Sequence, residues 1–221
     1  MSLDLLAPET TVRDIAAQLP GAAQIFRDAN INFCCGAAST LAEAAEKAGL
    51  ALDQLQADLR ALIGRAAEEA PTDTPGLIAH IISRYHDTHR EELAFLIQLS
   101  DRVEQVHGDH DAAPLGLTEA LLALRDDLDE HMSKEEMILF PAILNGVGAM
   151  LAAPIGVMQA EHTASADLLH KVEHITHGLS LPEGACGSWT ALYTGLRKLC
   201  DDVVAHIHLE ETVLFPRALA A

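Results

Sequence analysis

Apolar positions recur at helical spacing along almost the whole chain. Between residues 77 and 106, Ile78, Ile81, Ile82, Tyr85, Leu93, Leu96 and Ile97 return every three or four residues, as on a helix with one buried face. The same reading predicts long helices over about 117–144, 155–177 and 187–217, with loops marked by Gly108–Pro114, Asn145–Pro154 and Gly178–Gly187. No strand pattern of any length competes. Four long amphipathic helices joined by short loops predict an all-α, up-down-up-down four-helix bundle.

Ahead of the bundle the helical pieces are shorter: Val12–Leu19, stopped by Pro20, then Ala22–Ala29, Leu41–Ala48 and Leu52–Glu68. Thr40, with Glu43 three residues on, is a capping-box start for the third. Glu69–Gly76 (EAPTDTPG) is rich in turn formers and reads as the break. The expected organisation is a small helical domain over 1–70 followed by the bundle over 77–221.

Within the bundle, two stretches nearly repeat one another. Asp126–Pro141 reads DDLDEHMSKEEMILFP and Asp201–Pro216 reads DDVVAHIHLEETVLFP, with eight of sixteen positions identical. Each sets a His four residues before a Glu, on one helix face. A lone pair of this kind is often only helix-stabilising. Here it occurs twice, and the other two helices each supply a His. At a rise of ~1.5 Å per residue, His86, His131, His162 and His206 fall ~11–20 Å from the same end of the bundle. Glu135 and Glu210 lie one turn from this layer. Six donors exceed what one structural zinc takes and suit two ions bridged by the carboxylates. The imidazole and carboxylate mixture favours iron or manganese.

Residues around the layer have less definite readings. Glu136 and Glu211, ~140° around the helix from the His, face outward or stand behind the ligands. Asp127 and Asp202, four residues before the ligand His, either orient the imidazoles or are solvated helix charge. His89 is ambiguous, Glu161 is a candidate to line the site, and His208 points elsewhere. His107, His110, His170, His174 and His177 read as surface residues, and Cys200 as core.

Composition narrows the function. The chain has 221 residues, 14 basic against 33 acidic, for a formal charge of −19. Such a surface argues against nucleic acid or an anionic membrane as partner. The longest mainly apolar run, Gly146–Met158, contains Pro154 and is too short to span a bilayer. The opening MSLDLLAPETTV has no basic stretch, so no leader is expected. Cys34 and Cys35 are adjacent, with Cα atoms ~3.8 Å apart, below the usual disulfide range of ~4.4–6.8 Å. The pair suits thiol redox or transfer chemistry better than stapling, in a reducing cytoplasm.

Four segments now carry a resemblance. RYHDTHRE around His86, HMSKEEMILFP from His131, MQAEH ending at His162 and HIHLEETVLFP from His206 resemble the Repair of Iron Centers family, with its hemerythrin-like bundle. INFCCG followed by TLAEAAEKAGL resembles that family's N-terminal Cys-Cys module, with Gly36-Ala37 where a Gly-Gly is common. The resemblance implies two non-haem irons, held by His86, His131, Glu135, His162, His206 and Glu210 with carboxylate and oxo or hydroxo bridges. It implies a cytoplasmic stress protein that repairs iron–sulfur clusters damaged by nitrosative or oxidative stress. Iron donation or nitrosyl handling would be the means, with Cys34 and Cys35 as transfer pair. Its partners would be proteins with damaged clusters and nitric oxide or another small ligand, and a homodimer is compatible. Two alternatives stay open: nitric oxide reduction to nitrous oxide at the diferrous centre, and hemerythrin-type binding or sensing of oxygen or nitric oxide. Oxygen-carrying hemerythrins surround their metals with more imidazoles, whereas the third helix here offers one clear His, which suits a more open, labile centre.

Overall fold

The computed structural model describes residues 3–19, 21–31, 39–68, 71–146 and 148–220. Among them there is no strand, only one isolated antiparallel bridge between Thr11 and Thr40. Four short helices come first: α1 (Val12–Gln18), α2 (Ala22–Asp28), α3 (Leu41–Ala48) and α4 (Leu52–Glu68). Thr40 and Glu43 form the expected capping box at the start of α3. Val12, Ile15, Leu19, Phe26, Leu41 and Leu59 close a core of their own.

The first bundle helix begins earlier than its apolar pattern suggests. Asp73 accepts from the Gly76 N–H at 2.7 Å, and Pro75 sits in the first turn, where its missing N–H costs nothing. The turn formers of the break therefore open α5 (Thr74–Ile81). A π-helical turn, Ile82–His86, leads without interruption into α6 (Asp87–His107). The second helix comprises α7 (Leu117–Lys134), a π turn over Glu135–Leu139, and α8 (Phe140–Leu144). The third, α9 (Ala152–Ile175), also starts ahead of expectation, because Pro154 falls in its first turn rather than in the loop. The fourth comprises α10 (Gly187–Leu209), a π turn over Glu210–Leu214, and α11 (Phe215–Ala220). None of these helices is long and apolar enough to cross a membrane.

Packing follows the up-down order, with α6 against α7 and α10, and α7 against α9. Two apolar clusters fill the bundle. Leu93, Leu96, Leu121, Leu124, Trp189, Leu192 and Leu196 belong to one, and Leu77, Ile81, Phe140, Ile155, Met158, Leu214 and Phe215 to the other. Along every long helix a ligand-type residue separates them. A polar layer thus lies between two hydrophobic seals. The N-terminal helices lie beside the third and fourth helices, with Arg27 paired to Asp201 of the fourth at 3.4 Å and Arg13 to Asp167 of the third at 3.3 Å.

Candidate metal centre

The structure brings together all six residues expected in the layer. His86 closes the π turn of the first helix, His131 and His206 lie near the ends of α7 and α10, and His162 is on α9. Glu135 and Glu210 each open a π turn. Two of the three π turns are followed by proline, Pro141 and Pro216. A proline ring crowds the carbonyl four residues back, and the wider turn relieves that contact. At Ile82–His86 no such proline follows. The distribution of all three turns on ligand-bearing segments matches the usual siting of π bulges.

All six side chains are buried. His86 Nε2 faces His206 Nε2 at 3.0 Å, and His131 Nε2 faces His162 Nε2 at 3.1 Å. Glu135 Oε2 stands 3.4 Å from both His86 Nε2 and His131 Nε2. Glu210 places Oε1 3.1 Å from His206 and Oε2 3.1 Å from His162. The result is two four-residue groups, His86/Glu135/His206/Glu210 and His131/Glu135/His162/Glu210, sharing both carboxylates.

The far side of the imidazoles explains why the inner nitrogens are available. His86 Nδ1 donates to Glu136 at 2.8 Å, His131 Nδ1 to Glu161 at 3.1 Å, and His162 Nδ1 to Glu211 at 2.8 Å. An ionised carboxylate only accepts, so it fixes the proton on Nδ1 and leaves the Nε2 lone pair directed inward. Lone pairs facing at such distances repel unless a proton or a cation intervenes. Neither oxygen of Glu135, at 0% exposure, has a protein donor. A buried carboxylate without a donor is costly by itself. The donor set therefore fits a cation, with nitrogen and oxygen ligands and no thiolate.

The charges respond to this crowding. Burial and the neighbouring Glu210 push Glu135 well above the usual carboxylate range. Burial also acts on Glu210, but His206 and His162 outweigh it and hold that carboxyl low. Burial and the facing His206 carry His86 down to about 2. For His162 burial acts the same way, yet its bonds to Glu210 and Glu211 prevail and raise it to about 9.

Several neighbours depart from expectation. Asp127 and Asp202 do not orient the imidazoles. Asp202 pairs with Arg84 at 2.7 and 3.0 Å and with Lys198 at 2.7 Å, and Asp127 accepts from Ser165 Oγ at 2.6 Å. Side chains on a helix lean toward its N-terminus, so a Glu at i+4 leans over the His while an Asp at i−4 leans away. His107 is half-buried rather than solvated, its Nε2 3.0 Å from Cys186 Sγ. His170 is also partly covered, whereas His110, His174 and His177 are exposed. His89 is wholly buried, and neither ring nitrogen meets a protein partner. Cys200 is core, as expected. Cys34 and Cys35 lie outside the described residues. Between α1 and the bundle a cavity of about 470 Å³ has His162, Glu211 and His208 in its wall, facing Arg13 and Asp14.

Comparison with known proteins now bears on this layer. The Hemerythrin HHE cation binding domain profile matches residues 77–218, and a domain of unknown function (DUF542, ScdA_N) matches residues 8–63. The chain is 44% identical over 216 residues to the iron-sulfur cluster repair protein YtfE of Pectobacterium carotovorum subsp. carotovorum, covering 96% of this chain and 97% of that one. The YtfE protein of Yersinia pseudotuberculosis serotype O:1b is 46% identical over 208 residues, at 93% and 94% coverage. That of Dickeya chrysanthemi is 42% identical over 214 residues, at 96% and 97%. The chain belongs to the hemerythrin HHE cation binding family, and its near-full-length relatives within it are the YtfE iron-sulfur cluster repair proteins.

Proposed function

We propose that His86, His131, His162 and His206, with Glu135 and Glu210 shared between them, hold two non-haem iron ions, and that the chain repairs damaged iron–sulfur clusters with that iron. The observation that carries this reading is the sharing of two buried carboxylates by two donor groups. Relatives named for iron-sulfur cluster repair over nearly their full length favour it over nitric oxide reduction and oxygen carriage. Iron held by these residues would supply an exchangeable ferrous store and could take up a small ligand such as nitric oxide.

The protein's own part is to bind, shield and release. The apolar clusters above and below the layer keep bulk water from the carboxylates. The three outer carboxylates hold imidazole lone pairs inward. Ferrous iron on nitrogen and oxygen donors is then poised to pass to a damaged cluster, whose thiolates are the softer ligands. Cys34 and Cys35, ahead of the bundle in a small helical unit over 1–70, would act as thiol redox or transfer partner. An adjacent cysteine pair used this way would suit a reducing cytoplasm.

The test uses the full chain, reduced and loaded with iron, incubated anaerobically with a [4Fe–4S] enzyme previously inactivated by nitric oxide or peroxide. Activity should return above the level given by an equal amount of ferrous salt. Recovery no better than the salt control removes the repair reading.

A further inference from the structure

The shared carboxylates do not distinguish the two donor groups. Glu210 stands 3.1 Å from one imidazole of each, and Glu135 3.4 Å from one imidazole of each. Any inequality must come from what stands behind the imidazoles. Behind His131 and His162 are two carboxylates, Glu161 and Glu211. Behind His86 there is one, Glu136. Behind His206 there is none: its buried Nδ1 meets no protein acceptor among the described residues. Tyr85 lies flat on that ring at 5.4 Å between centroids, and the buried ring of His89 also stands 5.4 Å away. Neither a phenol ring face nor an imidazole supplies the negative charge of a carboxylate.

The order of the helices shows where the difference arises. Pairing the first two helices with the last two matches His86 with His162 and His131 with His206. The residue before His162 is Glu161, which reaches His131; the residue before His86 is Tyr85, which stacks on His206 instead. Nearby cations do not restore the balance. Lys134 pairs with Glu161 at 2.7 Å and Arg90 with Glu136 at 3.0 Å, one on each side. Beyond His89, Arg84 and Lys198 are matched by Asp202 and Glu92. The net difference is one carboxylate.

We propose that the two metal positions are unequal by construction, and that the one held by His86 and His206 is the weaker, exchangeable one. This rests on the two-metal reading above and deepens it: the ion at His86 and His206 is the cargo, and the ion at His131 and His162 is retained. A carboxylate behind a ligand imidazole makes it a better donor, and losing one costs about 10- to 100-fold in metal affinity. The unbacked His206 separates the two equivalents by about that factor. The ordering is one of equilibrium affinity, so the route by which an ion leaves does not enter.

The experiment is an anaerobic equilibrium titration of the metal-stripped full chain with ferrous ion against a chromogenic chelator. It is run on the native chain, Glu211→Gln and Glu136→Gln, with Mössbauer spectra of each loaded sample. Both substitutions keep an acceptor for Nδ1 and remove only its charge. The native chain should bind two ions with affinities about 10- to 100-fold apart. Glu211→Gln should weaken the tight equivalent and bring the two together. Glu136→Gln should leave the tight equivalent alone and weaken the loose one further. Two equal equivalents in the native chain, or the two variants acting the other way round, would overturn the assignment while leaving the two-metal reading intact. Uptake of a single ion would remove that reading as well.

Discussion

Around His131 and His162 each imidazole leans on a carboxylate, whereas around His86 and His206 one leans on Glu136 and the other lies against Tyr85 and His89. Each position takes one imidazole from a copy of the repeated stretch and one from another helix, and the two share the same inner carboxylates. Their difference therefore isolates what the outer residues contribute. Proton affinity separates single imidazoles rather than the two positions, since burial lowers His131 as well. Burial presses on both His86 and His162, yet His86 goes down to about 2 and His162 up to about 9. His86 faces another imidazole and the Arg90 guanidinium, while His162 bonds Glu210 and Glu211.

The largest effect should come from a residue both positions share. Glu135→Met removes a buried carboxylate whose oxygens meet no protein donor. Both ferrous equivalents should be lost together, as read by metal content after loading and desalting. The metal-stripped variant should nevertheless be more stable than the metal-stripped native chain, by about 1–3 kcal/mol, in urea unfolding. Opposite signs for binding and stability mark a residue kept for its ligand. Loss of one ion alone would break the comparison, because Glu135 would then serve one position only.

The next effect is on stability against pH, where imidazoles kept neutral by burial oppose the protonated His162. His86 and His89, held near 2 and 3 mainly by burial, stay neutral in the folded chain. The unfolded chain takes up their protons as pH falls below about 6.5, so stability drops there by about 1.4 kcal/mol per unit for each group. His162, raised to about 9 by its bonds to Glu210 and Glu211 against the effect of burial, works in the other direction. Its contribution is complete below about 6.5 and is lost as pH climbs to 9. Metal-stripped protein should therefore be most stable near pH 6.5 in urea melts from pH 4.5 to 9. A curve still rising at pH 8 would contradict the assignment of the proton to His162.

Much of this layer was legible from local rules. The i,i+4 spacing of His131 with Glu135 and His206 with Glu210 needs only helix geometry, and counting rise along four helices placed His86 and His162 at the same height. The angular reading left two choices open. Placing Glu136 and Glu211 ~140° from the His assumes 3.6 residues per turn, but a π turn opens at the preceding Glu and advances fewer degrees per residue. Both Glu residues take the second choice and stand behind a ligand His on the neighbouring helix. For Asp127 and Asp202 spacing alone left two readings open, and the lean of helical side chains decides against orienting the imidazoles. The start of α5 at Thr74 was hidden by turn formers that serve equally as a cap. The unequal backing of the imidazoles is tertiary: only packing shows that Glu161 serves His131 on the next helix, and that Tyr85 takes the corresponding place beside His206.

That last difference, between the first and third helices, offers the finest test of the comparison. Tyr85 is partly buried, stacked on His206 and capped by the Arg84 guanidinium 5.0 Å from its centroid. Tyr85→Glu would put at this position the residue its counterpart Glu161 already supplies, with Arg84 taking the part that Lys134 plays beside Glu161. The loose ferrous equivalent should tighten by about tenfold, or about 1.4 kcal/mol, while the tight equivalent keeps its affinity. Some stability should be lost with the ring stack, about 1 kcal/mol, and urea unfolding of the stripped variant measures that separately. If the loose equivalent tightens, the missing carboxylate is the cause of the inequality and the bundle can be made nearly symmetric by one change. If it does not move in a folded variant, charge behind His206 is not what separates the positions, and the flat contact of the Tyr85 ring on His206 becomes the feature to explain.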